Sequence, residues 1–213
     1  MNRVFLISPA NCNGQRARWI FKKTARSDLA KRLRSPEGAP LGEVYTFLSA
    51  LYFRGKLAYA RAFARPPVSG QGVFIITPTA GLLSHDTMIR LARLRGFSRS
   101  SISEKNPRYR VSLVRTVKRL AAELDSDCEV VLLGSIASGK YLNILGQILG
   151  DQLLVPAEFR GRGDLSRGAL LLRCIKENRE LNYVPISRVA DWRPMSTLHA
   201  DAPNFSAAVV RHQ

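Results

Sequence analysis

Four short apolar runs punctuate the chain: VFLIS at 4–8, VFIIT at 73–77, VVLL at 130–133 and QLLVP at 152–156. Runs of this length, with β-branched residues and without polar alternation, predict strands buried on both faces. Between them the apolar spacing changes to three and four. Ala17, Ile20, Phe21, Leu29 and Leu33 predict a basic helix over about 15–34, and Val111, Val114, Val117, Ala121 and Leu124 predict another over 110–124. Residues 42–64 are apolar on most faces, which predicts a largely buried helix or a helix pair bent near Gly55. A shorter helix is expected near 85–95, entered through the turn Pro78-Thr79-Ala80-Gly81. The runs 170–174 and 181–186 read as two more strands, a C-terminal hairpin turning around Glu177-Asn178.

Strands alternating with helices argue for an α/β fold, an open and mainly parallel Rossmann-like sheet with helices on both faces. Residues 1–188 are expected to form one such domain, and 189–213, where the periodicity is lost, a loosely ordered tail. In that architecture the loops at the carboxyl ends of the strands meet at one edge. Segments 8–14, 77–81, 134–140 and 156–168 should therefore converge, although they are far apart in the chain.

One of these segments carries a phosphate-binding pattern. Residues 129–150 read as strand, small-residue turn and helix, and 134–140, GSIASGK, satisfies GxxxxGK. Such a turn leaves backbone N–H groups free at the start of a helix, which suits an anion and marks Ser135, Ser138 and Lys140 as candidate ligands. The position after the lysine should be Ser or Thr to hold a metal ion, and here it is Tyr141. Neither VFIIT nor QLLVP ends in an acid. Nucleotide hydrolysis by a P-loop mechanism is therefore disfavoured, leaving a plain tight turn or phosphate binding without hydrolysis.

The formal charge of +17 changes the weight of these readings, because it lies where nucleic-acid binders lie. Basic residues crowd the first helix and the stretch 90–118, whose middle, 96–107, is polar and serine-rich and reads as a mobile arm or a ligand-ordered loop. Trp19, Phe21, Phe97 and Tyr109 are either stacking residues among these charges or core anchors. The densest mixture of charge and glycine is 158–168, EFRGRGDLSRG. There Arg160, Arg162 and Arg167 form a candidate phosphate clamp, and Asp164 and Glu158 are the candidate general bases. The competing reading is a turn in which Asp164 pairs with an arginine to hold the loop. Asn11 and Arg16 in and after the first strand-end loop complete the set, with Arg54. Arg54 and Lys56 interrupt an apolar surface, where a charge either snorkels to water or points into a ligand cleft.

Cys12, Cys128 and Cys174 are odd in number and lack CxxC spacing or histidine company, so neither a disulfide framework nor a zinc site is supported. Cys12, with no histidine close by in sequence, reads as a small buried hydrophobe rather than a nucleophile. A reducing, cytoplasmic setting is expected, and no apolar run approaches the length of about 18 residues that a membrane span requires. No motif points to a particular cofactor.

Phe53, Arg54, Leu57, Tyr59, Ala60, Gly81, Leu82 and Leu83 form an FRxxLxYA helix followed by a GLL turn. Together with GRGDLSRG, this resembles a family of uncharacterised bacterial α/β domains, loosely akin to glycosylase and transglycosylase folds. The resemblance implies nucleobase or nucleic-acid modification but names no catalytic residue, and Ala80 stands where an aromatic residue would be expected. The leading expectation is a strand-end cleft that binds a phosphate-bearing ligand, nucleic acid or nucleotide, with base- or nucleotide-modifying activity. A non-catalytic nucleic-acid or ribonucleoprotein binding module and a nucleotide-binding regulatory domain are the two alternatives.

Overall fold

In the computed structural model, which describes residues 1–49, 51–67, 70–135 and 139–189, the chain opens with strand β1 (Arg3–Ile7), every side chain of which is buried. Helices α1 (Gln15–Phe21) and α2 (Asp28–Arg34), the short strand β2 (Ala39–Pro40), and helices α3 (Leu41–Ser49) and α4 (Leu51–Phe63) follow. Next come strands β3 (Val73–Thr77), β4 (Gly81–Ser84) and β5 (Met88–Ile89), then helices α5 (Leu91–Ser98) and α6 (Pro107–Glu123). Strand β6 (Glu129–Leu133), helix α7 (Gly139–Leu149), strand β7 (Leu153–Pro156), helix α8 (Asp164–Lys176) and strand β8 (Tyr183–Pro185) complete the described strands and α-helices.

The main sheet has the order β4-β3-β1-β6-β7-β8. Its four inner strands are parallel and its two edge strands antiparallel. Because successive side chains of a strand point to opposite faces, the sheet builds two cores. Phe5, Ile7, Val73, Ile75, Val131 and Leu133 pack against α1 to α5 and α8, whereas Val4, Leu6, Ile76, Val130 and Leu132 pack against α6 and α7. The chain therefore leaves β1 toward one face and leaves β6, its neighbour, toward the other. At that reversal the two connections part and a crevice opens outside the carboxyl ends of the strands.

Several local expectations are corrected. The basic stretch 15–34 is two helices, because Ser27 caps α2 by accepting from the Ala30 N–H, and Arg34 donates to the carbonyls of Ile20, Lys22, Ala25 and Ala30. The helix expected near 85–95 begins only at Leu91, because 81–84 turns back as β4 against β3. Segment 96–107 is not an arm. Phe97 is buried in α5, and the Asn106 amide donates to Ser100 Oγ (3.0 Å) and Ser101 O (2.7 Å) while its oxygen caps α6. The C-terminal hairpin does not form either. Residues 170–174 lie within α8, where Gly168, Leu171 and Cys174 are buried at helical spacing, and β8 pairs with β7 instead. The expected tail falls almost wholly at 190–213, outside the described residues.

Gly55 lies within α4 and is not a bend. A Cβ there would stand 2.9 Å from the Gly168 carbonyl oxygen, and one on Gly168 would stand 3.0 Å from Tyr52 Cα. The two helices thus touch backbone to backbone, with no flexible side chain able to yield. Gly55→Ala and Gly168→Ala are each expected to destabilise the protein by about 1–3 kcal/mol, seen as a lower urea midpoint at unchanged slope.

Candidate functional site

The crevice at the switch point holds two adjoining cavities of about 210 Å³ and 350 Å³ that share Pro9, Asn11, Lys140 and Tyr141. The smaller one is walled by the end of β1, the middle of α4, the first turns of α7 and the start of α8. Segments expected to converge therefore do so: 8–14, 134–140 and 156–168 each contribute to the smaller cavity, and Pro78 reaches the larger.

Lys56 of α4 lies at its base, with 2 % of its surface exposed. Its Nζ donates to Ser8 O and Ser8 Oγ, both at 2.7 Å, and lies 4.4 Å from the centre of the Tyr52 ring and 5.2 Å from that of Phe53. No carboxylate is within ion-pair distance of Lys56 among the described residues. Burial therefore pulls its pKa down to about 7, with Asp164 opposing the shift and Arg167 adding to it. Ser8 is fixed in turn. Its N–H donates to the Leu133 carbonyl (3.1 Å), its own carbonyl accepts from Lys56, and Gly134 leaves it room, since a Cβ there would stand 3.1 Å from Ser8 Cβ.

The opposite wall is braced from α6 and the segment before it. The Tyr109 hydroxyl donates to the Lys140 carbonyl (3.0 Å), and Glu104 accepts from the Asn143 amide at 3.0 and 3.2 Å, steadying the first turn of α7. Lys140 Nζ lies 5.1 Å from the centre of the Tyr141 ring and makes no ion pair among the described residues. The hydroxyl of Tyr52 is buried and raised to about 12 by that burial. The nearby Arg167 moderates the shift, although no hydrogen bond of ordinary geometry joins the two.

Of the residues singled out in the sequence, Asn11, Ser135, Lys140 and Asp164 line the smaller cavity, and Ser138 lies outside the described residues. The others are placed elsewhere. Arg16 donates to the Phe47 carbonyl (3.0 Å), and Arg54 faces solvent. Arg160 is exposed, and Arg162, also exposed, donates to Ser166 Oγ (3.0 Å); neither lines either cavity. Arg167 is buried and gives two hydrogen bonds to the Phe159 carbonyl, at 3.2 and 3.0 Å, with Asp164 3.7 Å away. It fastens the loop before α8 to the helix. Glu158 accepts the Asn182 N–H (3.0 Å) and holds the chain entering β8. Cys12 is buried, and burial pushes its thiol up to about 11, with Tyr45 beside it opposing the shift, so it stays protonated near neutrality.

Ser8 and Tyr52 carried no signal of their own in the sequence. Lys56 carried one, a cation inside an apolar helix. Comparison with protein-family models, curated proteins and solved structures finds no significant match. Among the described residues no helix is long and apolar enough to cross a membrane.

The buried lysine sets a pH dependence with a definite sign. Its folded pKa, about 7, lies below the ordinary 10.5, so between these values the unfolded chain binds a proton that the folded chain lacks. The destabilisation is full below pH 7 and fades as the pH rises to about 10.5. Lys56→Met removes it. The stability of the variant relative to wild type should fall by a few kcal/mol from pH 7 to pH 10, measured by urea unfolding of both proteins.

Proposed function

We propose that the crevice between β1 and β6 binds a phosphate-bearing ligand, a free nucleotide or a nucleotide unit of nucleic acid, and that the protein modifies its base or nucleotide. The observation that carries this reading is the meeting of Asn11, Ser135 and Lys140, which makes no ion pair among the described residues, at the topological switch point beside the N-terminal turn of α7. The cavities, of about 210 and 350 Å³, suit one nucleotide rather than a macromolecule. Tyr141 is buried where a P-loop would present a metal-binding hydroxyl, and β3 and β7 end in Thr77 and Pro156, so the reading is one of binding without P-loop hydrolysis. The likeness to bacterial α/β domains supports nucleobase chemistry, and three buried free cysteines agree with a reducing cytoplasm.

The outer face of α6 favours nucleic acid as the source of the phosphate. Arg108, Arg115, Lys118 and Arg119 are exposed along it, and Glu123 pairs with Arg119 at 3.7 Å. A stripe of this kind tracks a phosphate backbone through counterion release.

Inorganic phosphate and mononucleotides should raise the melting temperature of the wild type by several degrees at saturation. Lys140→Ala should abolish the shift, and Arg119→Ala should leave it intact. Single-stranded RNA or DNA should bind with an affinity that falls steeply with salt, and replacing Arg108, Arg115 and Arg119 together by alanine should flatten that slope. Absence of any ligand shift in the wild type would remove the crevice reading and leave only the basic surface.

A further inference from the structure

Ser8 and Lys56 have the geometry of a nucleophile and its base. The amine nitrogen stands 2.7 Å from the Ser8 hydroxyl oxygen, on the wall of the smaller cavity. A second bond, to the Ser8 carbonyl at 2.7 Å, and the Tyr52 and Phe53 rings hold the amine in place. A serine hydroxyl is a weak nucleophile until a neighbouring base takes its proton, and a lysine amine serves as that base when burial keeps it neutral. In the charged form Lys56 donates to both Ser8 oxygens. Once neutral, it keeps its bond to the carbonyl and its lone pair faces the hydroxyl hydrogen. The groups around it are Asp164 and Arg167 of α8, Tyr52 of its own helix, and Lys140 and Tyr141 of α7 across the cavity.

We propose that Ser8 and Lys56 form a catalytic pair that hydrolyses an ester whose alcohol or acyl part carries an anionic group. The inference rests on the proposed crevice for the position of that anion, near Lys140, and not for the chemistry of the pair. The Ser8 oxygen bonds to the ester carbonyl carbon while its proton passes to the Lys56 nitrogen, and the carbonyl π pair moves onto oxygen. The tetrahedral species collapses, the bond to the leaving alcohol breaks, and that oxygen takes the proton from Lys56. Water then attacks the acyl-Ser8 ester with Lys56 again as base. The carboxylic acid is released and the proton returns to Ser8.

A fluorophosphonate probe tests the pair directly, because serine attack forms an oxygen–phosphorus bond and expels fluoride. Intact mass and peptide mapping should show one adduct, on Ser8, formed at a rate that rises with pH and levels off above pH of about 7. Ser8→Ala should remove the adduct, and Lys56→Met or Lys56→Arg should slow labelling by at least about 100-fold. No adduct at Ser8, a rate without that inflection, or labelling indifferent to Lys56 would overturn the pair, and the wild-type pH profile decides even if the variants fail to fold. The phosphate-induced melting shift is read on the same protein. A shift without labelling refutes the pair and leaves the crevice, whereas Ser8 labelling without a shift supports the pair and refutes the anion site.

Discussion

The contact between α4 and α8 is the constraint on which the site depends. Two helices whose backbones touch need a residue without Cβ on each side, and Gly55 and Gly168 supply them. The residues beside these glycines are carried to places that neither helix would reach alone. Lys56 is pressed under the end of β1, and Arg167 is sealed against the Phe159 carbonyl. Asp164, one turn earlier in α8, reaches the cavity rim. A wider spacing of the helices would admit water beside Lys56, and its ammonium would then regain an ordinary affinity for the proton.

The fold was legible where local and global signals agreed. The four inner strands are short, apolar and flanked by small or polar turn residues, and their alternation with helices specifies a parallel sheet almost independently of detail. It was illegible where a short apolar run had two meanings. Leu170 to Leu172 fit a buried strand as well as a helix, and only the partner α4, out of sight in one dimension, decides the matter. Likewise nothing in the periodicity of 15–34 reveals that a serine cap and one arginine divide it in two.

The position of the site followed from topology, but its chemistry did not. Arg54 and Lys56 are two residues apart on a helix and so point roughly 200° apart, which allows only one of them to face the interior. The sequence does not say which. The structure turns Arg54 to solvent and Lys56 inward. The arginines of 160–167 misled for a related reason: adjacency along a chain is not adjacency in space, and the start of α8 at Asp164 sends them apart. Part of the positive charge is architectural as well. Arg3 of β1 joins Glu129 of the neighbouring β6 and Glu180, Arg32 holds Glu43 on the next helix, and Arg34 gathers four carbonyls. The formal +17 already subtracts these carboxylates, so the pairs fix where the charge lies without lowering its net value.

The antiparallel strands at the two margins of the sheet have a bearing on how copies of the chain behave toward each other. A parallel sheet left open at its sides is a template for lateral addition. Here β4 is four residues long, while β8 is three and ends in Pro185, which has no N–H to offer a newcomer. With such blunt margins the sheet resists growth by strand addition, and close packing of the molecules need not drive them into fibres.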